Sequence, residues 1–155
     1  MAKNSVEQVA SEWGRMTDRE KTALTKGLRS VVNSVGQKMA TLRTAQTGVA
    51  TAIWEDKDPI PYDSQFVIEA KVVGSDPASP PTQYCMLQRT QIYARGPTDI
   101  AVMLGAAFTK ADTRSNLAFD LTFTLDGTSH IIVSVNDGGI AVMDWKVWLE
   151  YRRDT

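Results

Sequence analysis

The sequence predicts an α+β protein, in which N-terminal helices precede an antiparallel, jelly-roll-like β-sandwich head. Three observations predict this class. Apolar residues recur at helical spacing up to residue 45, prolines and aspartates then interrupt the pattern, and later segments alternate apolar with polar side chains. At 155 residues the chain can bury a sizeable core. We therefore divide it into a helical segment (1–49), an extended linker (50–63) and a β head (64–155).

Two capping boxes open the helical segment, at Ser5–Gln8 and Thr17–Glu20. They predict a short helix over residues 5–16 and a longer helix over residues 18–45. In the longer helix, apolar side chains recur at alternating intervals of four and three residues, which is a heptad seam. The seam consists of Leu28, Val32, Val35, Met39 and Leu42. It predicts an oligomer interface, and the alternative is a helix that lies on its own β domain.

Charge is divided unevenly along the chain. Residues 1–49 carry eight Lys and Arg against four Asp and Glu, and the remainder carries nine against fourteen. Because the β head is acidic and the basic residues are spread along one helix, we expect no nucleic-acid partner. No run of about 18 apolar residues exists, so we expect no membrane span. The first five residues contain no apolar signal region, so export through a signal peptide is not expected.

The second half of the linker, Glu55–Asp63, contains two prolines among four acidic residues. Proline cannot continue a helix, so this segment is predicted to be extended. A calcium loop is the alternative interpretation of the carboxylates. The spacing lacks the glycine and the terminal glutamate of an EF-hand, and we predict no metal site.

The first half of the head contains three predicted strands. Residues 66–73 alternate apolar and polar side chains, residues 83–95 form a long strand, and residues 99–108 form another. The apolar parity changes between Leu87 and Ile92, which predicts a bulge in the long strand. Residues 74–82 and 110–115 are predicted loops.

The last forty or so residues carry the clearest pattern. Apolar side chains alternate with polar ones over residues 117–125, 131–135 and 143–151. Asp126–Gly127 and Asn136–Gly139 separate these three segments and have the composition of tight turns. The pattern predicts three consecutive strands that pair as an antiparallel meander.

No catalytic set emerges from the residue types. A single histidine, His130, and a single cysteine, Cys85, exclude the commonest zinc ligand sets. Cys85 lies in a predicted strand and is interpreted as a buried small hydrophobe. His130, Glu69, Asp120 and Asp144 lie on predicted outward faces, where such groups are usually solvated. We predict that the protein is not an enzyme and holds no cofactor.

Trp145 and Trp148 have opposite parity on one predicted strand, so only one of them can face the core. If Trp145 is buried, Trp148 is a candidate contact for a ligand or a partner. An exposed indole can stack on a sugar, and an indole in an oligomer interface is equally consistent with the pattern.

The order and length of the predicted strands carry a resemblance to a known group. The segments that carry it are Phe66–Val73, Arg89–Gln91, Phe119–Phe123, Ile132–Val135 and Met143–Val147. Over residues 64–152 they resemble the β heads of tailed-bacteriophage structural proteins. The resemblance implies a non-enzymatic virion protein that is homotrimeric and either fibre- or tail-associated or head-decorating. Its N-terminal helices would anchor it to other virion proteins of the tail or capsid.

The alternative is a carbohydrate- or receptor-binding β-sandwich module. Its binding residues would be Trp148 with the predicted loops Gly74–Thr82 and Lys110–Ser115, and its partner would be a host surface glycan. The loss of glycan binding on Trp148→Ala, with the fold retained, would favour this alternative over the structural protein.

Overall fold

The computed structural model describes residues 35–154, which form eight strands in two antiparallel sheets. The strands are β1 (Val35–Ala45), β2 (Thr51–Glu55), β3 (Ser64–Ser75), β4 (Tyr84–Arg95), β5 (Val102–Arg114), β6 (Asp120–Leu125), β7 (Ile131–Asn136) and β8 (Val142–Asp154). The five-stranded sheet has the order β1-β8-β3-β4-β5, and the three-stranded sheet has the order β2-β7-β6.

One core joins the two sheets. Alternate residues of β3 and β8 are buried, as expected of strands with one face against a second layer. The largest buried side chains are Trp145, Tyr93, Phe66, Phe119, Ile60, Ile68, Leu87, Leu121, Ile131, Met143 and Leu149. An ion pair also joins the sheets, because Arg89 of β4 donates to Asp120 of β6 at 2.6 Å.

The α+β prediction is wrong for the part of the chain that the structure describes. Residues 35–45, predicted to end the long helix, form strand β1 and pair with β8 over their whole length. The physical reason is a period of two within the same residues, in which Ala40, Leu42 and Thr44 face inward and their neighbours are exposed. The predicted helices before residue 35 lie outside the described residues.

The predicted meander is wrong in its third strand. β6 and β7 pair as expected, but β8 pairs with β1 and β3 in the other sheet. The turn at Asp137–Ile140, in which Gly138 and Gly139 both have positive φ, carries the chain from one sheet to the other. Alternation in the sequence determines which face of a strand is buried, and it does not determine which strand lies beside it.

The sandwich begins before residue 64, where the β head was predicted to start. β2 lies within the predicted linker and pairs with β7. Ile53 and Ile60 are buried in the core, and the Ile60 amide donates to the Ser129 carbonyl at 2.9 Å. The proline-rich segment is therefore extended and packed on the sheets.

Two further predictions are wrong, the bulge in the long strand and the loop after residue 109. β4 pairs with β3 without interruption, and the extra residues lie on β5, where the register shifts twice. The buried Gln91 side chain fills the irregularity by donating to the Ile92 and Gly105 carbonyls. Ile92 consequently points away from the core. Lys110–Arg114, predicted to be a loop, continues β5.

Tyr93 offers a test of the core. Its ring is fully buried and lies edge-on to Phe66, and its hydroxyl has no hydrogen-bond partner among the described residues. Burial raises the pKa of this hydroxyl. We expect Tyr93→Phe to leave the free energy of unfolding unchanged or raise it by up to about 1 kcal/mol, because an unpaired buried hydroxyl is removed and the ring is kept. Urea unfolding measures this, with exposed Tyr84→Phe as the control. A loss of about 1 kcal/mol or more for Tyr93→Phe would mean that the hydroxyl is hydrogen-bonded.

Candidate functional site

The outer face of the five-stranded sheet, which is the side turned away from the three-stranded sheet, exposes Trp148. Along β8 the inward Val147 and Leu149 are buried, and the Trp148 side chain between them is 41% exposed. Trp145, at the opposite parity, is 2% exposed in the core. Parity predicted that only one of the two tryptophans could face the core, and the structure places Trp145 there.

One apolar side chain, Met39, and several polar or charged ones surround this indole. In the strand register Trp148 lies opposite Met39 of β1 and Lys71 of β3, and Lys71 lies opposite Gln88 of β4. The Lys146 ammonium is 5.0 Å from the centroid of the indole ring. This cation–π contact favours a fixed ring orientation.

Two carboxylates lie in the next row of the outer face. Glu69 and Glu150 are direct cross-strand neighbours on β3 and β8. Glu69 accepts a hydrogen bond from Gln88 and pairs with Lys110 at 3.6 Å, whereas Glu150 is exposed and has no ion-pair partner among the described residues. Like charges in this position repel one another, so the strand pair itself gains nothing from Glu150.

A shallow hollow of about 280 Å³ adjoins Trp148. Its wall is formed by Gln37, Lys38, Glu69, Lys71, Gln88, Trp148, Leu149 and Glu150. The hollow is open to solvent along one side of the sheet and brings together one indole, two primary amides and charges of both signs. We call it the Trp148 hollow.

A second surface on the same face is apolar. Ile92 of β4 and Val102, Leu104 and Phe108 of β5 point outward from adjoining rows of the register, and between 43% and 69% of each side chain is exposed. β5 is the last strand of its sheet. Residues 100–109 carry no charged side chain. We call these four residues the β5 patch.

The residues of the predicted helical seam do not come together as a seam in the described part of the chain. Leu28 and Val32 lie outside the described residues. Val35, Met39 and Leu42 lie on β1, where Met39 is exposed on the outer face and Leu42 packs against the core. Because a spacing of three residues changes the face of a strand, one surface cannot contain both side chains.

No protein-family model matches the sequence, and neither does any curated protein. Among solved structures, the chain is similar to the tailspike protein of Acinetobacter baumannii phage AM24, with a TM-score of 0.49 and 12% identity over 76% of this chain and 26% of the tailspike. It is also similar to tailspike gp49 of A. baumannii bacteriophage Fri1, a capsular polysaccharide depolymerase, with a TM-score of 0.41 and 6% identity over 78% of this chain and 18% of the tailspike. The chain thus spans about a quarter of the first tailspike and less than a fifth of the second.

Cys85 and His130, which the sequence singled out as titratable groups, both have structural roles. Cys85 is buried, as predicted, and burial raises the pKa of its thiol to about 12. His130 borders a turn, where its amide and the Thr128 amide donate to the Asp126 carboxylate at 2.9 Å. The hydrogen bond from the His130 amide is the main reason that the pKa of Asp126 falls to about 2. These contacts hold the turn together.

The three outward carboxylates lie in separate ion pairs. Asp144 accepts two hydrogen bonds from Arg43, at 2.6 and 2.9 Å, Asp120 pairs with Arg89, and Glu69 pairs with Lys110. The structure does not bring them to one place. Within residues 35–154 we find no cluster of three or more side chains able to hold a metal ion. Nor does that part of the chain contain a helix with the length and apolar character of a membrane span.

Sequence reasoning missed the β5 patch. The signal that could have found it is the uncharged run over residues 100–109, which is apolar at both parities. A strand with one solvent-exposed face should carry polar residues at every second position. The run departs from that pattern, and this departure marks the apolar outer face of β5.

Proposed function

We propose that this chain is a non-enzymatic structural protein of a tailed-bacteriophage particle and that it assembles as a homotrimer through the β5 patch. The observation that carries the proposal is the exposure of four large apolar side chains on one corner of the outer face. A patch of this kind on a water-soluble domain usually marks an interface.

The composition of the patch supports a second copy of the chain as its partner. Phe108, the most exposed member at 69%, lies beside Ile92 and Leu104. The patch contains no charge that would require a complementary partner, and the uncharged surface can meet an identical surface without repulsion. Around a threefold axis, three such patches would bury one another and leave the polar remainder of each outer face in water.

The irregular backbone of β5 supports contact through side chains. An edge strand with a regular backbone can pair directly with another chain. In β5 the two register shifts bend the strand, and its last residues, from Lys110 to Arg114, carry three charges. Both features oppose a continuous intermolecular sheet, and they leave the outward Val102, Leu104 and Phe108 free to pack.

The assignment to a phage particle is supported by the sequence pattern over residues 64–152, whose alternating segments resemble, in their order and length along the chain, the β heads of tailed-phage structural proteins. In this proposal the residues before β1 attach the head to other virion proteins, of the tail or the capsid. Their net positive charge suits an acidic docking surface. Mass spectrometry of purified particles of the phage that encodes the chain tests this part, and absence of the chain from the particles would refute it.

The trimer is tested by light scattering coupled to size exclusion on the full-length chain. We expect a mass near three times 17.1 kDa for the unmodified protein and near 17.1 kDa for Phe108→Asp. The aspartate would place three charges near the threefold axis without partners, which an apolar interface cannot accommodate.

The matched control is Leu117→Asp. Leu117 is also a large apolar residue, 81% exposed, and lies in the loop before β6, outside the patch. This variant should keep the mass of the unmodified protein. A monomeric unmodified protein would refute the trimer, and a Phe108→Asp variant that stays trimeric would move the interface away from β5.

A further inference from the structure

We propose that the Trp148 hollow binds uncharged saccharide chains, with one pyranose ring lying against the indole. The proposal goes beyond the structural role of the chain, because it gives the outer face a ligand of its own. It rests on the chemistry of the hollow and does not require the β5 patch to be an interface.

The indole supplies the apolar part of such a site. Trp148 is 41% exposed, and the outward residues on either side of it along β8 are the charged Lys146 and Glu150. The exposed indole offers a large flat apolar surface with one polar N–H group. A pyranose ring carries a patch of C–H groups on its face, and this patch matches the flat surface of one indole.

The rim supplies hydrogen-bonding groups of both kinds. Gln37 and Gln88 each offer a donor and an acceptor, Lys71 offers donors, and Glu150 offers acceptors. A sugar hydroxyl is at once a donor and an acceptor, so a polyhydroxylated ring needs both around its edge. Trp148, Lys71 and Gln88 follow one another across three neighbouring strands, about 4.8 Å apart. This row is long enough for more than one sugar unit.

The charges around the hollow disfavour other classes of ligand. An anion would meet Glu150 and Glu69 side by side, and a cation would meet Lys71 and Lys146. An apolar protein surface would remove all these groups from water without giving them partners, which costs free energy for each of them. An uncharged polyhydroxylated ligand meets none of these objections, because it can hydrogen-bond to groups of either sign.

The test is a titration of the full-length protein, labelled at its tryptophans, with four hexasaccharide probes. The probes are maltohexaose, cellohexaose, chitohexaose and an oligoguluronate, of which only the last is charged. We expect at least one uncharged probe to shift the indole N–H resonance of Trp148 at millimolar concentration, and the resonance of buried Trp145 to stay unchanged. The oligoguluronate should bind more weakly than that probe.

Two variants and one control complete the experiment. Trp148→Ala should weaken binding at least about tenfold, Trp148→Phe should retain part of it, and Leu117→Ala should bind as the unmodified protein does. Because Trp148→Ala removes its own reporter, binding to that variant is measured by calorimetry. Its melting temperature and mass are measured on the same sample.

Three outcomes would overturn the proposal. The first is that no uncharged probe affects Trp148 at about 10 mM, since the dissociation constant would then lie above the expected millimolar range. The second is that Trp148→Ala binds as tightly as the unmodified protein. The third is that Trp148→Ala changes the native mass, because the indole would then belong to an oligomer interface. A monomeric unmodified protein that binds saccharide would refute only the trimer.

Discussion

Trp145→Ala is expected to lower the free energy of unfolding by roughly 3–5 kcal/mol, which is the usual loss when a buried large aromatic side chain is truncated. Trp145 is 2% exposed and belongs to β8, the strand that lies between β1 and β3. A domain of this size is commonly stable by about 5–15 kcal/mol. The variant should therefore unfold at a much lower urea concentration, with little change in the slope of the transition.

The contacts of Trp145 explain the size of the expected loss. Its indole N–H donates to the Thr44 hydroxyl at 3.0 Å, and its ring lies edge-on to Phe119 of the facing layer. On β3, Gly74 leaves space for the ring, because a Cβ at that position would approach its Cε3 atom to 2.5 Å. Truncation would remove contacts to three strands or loops at once and leave a cavity between the sheets.

Trp148→Ala is the matched control, since it removes the same side chain from the same strand on the opposite face. With 41% of Trp148 exposed, we expect this variant to lose about 1 kcal/mol or less. Equal losses for the two variants would contradict the assignment of Trp145 to the core and Trp148 to the surface.

The two tryptophans also show what the sequence could predict. Parity along one strand is a local property, so alternation alone shows that Trp145 and Trp148 cannot both face the core. The neighbours of a strand are a non-local property. Nothing in residues 142–154 indicates that β8 inserts between β1 and β3, because the same alternation would suit a meander.

The error over residues 35–45 has a related cause. Met39 and Leu42 fit a helical period, while Ala40, Leu42 and Thr44 fit a strand period, and a window of eleven residues contains too few apolar side chains to separate the two. Pairing along the whole of β8 decides in favour of the strand. Tertiary contacts override local preference here, as they do in many strands.

The two candidate surfaces also depend partly on local properties, which the sequence could predict, and partly on non-local ones, which it could not. The Trp148 hollow could be placed only in part, since its indole was a candidate from parity but most of its rim comes from β1, β3 and β4. The β5 patch depends on two register shifts and on β5 being the last strand of its sheet. Both properties belong to the assembled sheet.

Asp137 joins two loops, and each of these loops carries the chain from one sheet to the other. Its carboxylate is fully buried and accepts hydrogen bonds from the Gly48 and Gly139 amides at 2.8 and 2.9 Å. Gly48 belongs to the loop between β1 and β2, and Gly139 belongs to the loop between β7 and β8. Burial by itself raises the pKa of Asp137, but the hydrogen bonds from Gly139, Gly48 and Thr44 outweigh it and leave the pKa below its ordinary value.

Asp137→Asn is expected to lower the free energy of unfolding by roughly 1.5–3 kcal/mol at pH 7, which is the range for hydrogen bonds to a charged group. The asparagine keeps the shape of the side chain, but it loses the charge and turns an amide NH₂ group toward backbone donors. The control is Asp58→Asn, in an exposed loop where the Asp58 carboxylate makes no hydrogen bond to the described residues. This variant should stay within about 0.5 kcal/mol of the unmodified protein.

The pH dependence gives the sharper test. Because the pKa of Asp137 is lowered on folding, its ionised form contributes stability that is fully present above the pKa of an unfolded aspartate, about 3.9. That contribution is lost as the pH falls through the lower pKa of the folded protein. The difference in unfolding free energy between the unmodified protein and Asp137→Asn should therefore be constant from pH 7 to about 5 and shrink below about 4. A difference that stays constant down to pH 2 would mean that the charge of Asp137 does not hold the two loops together.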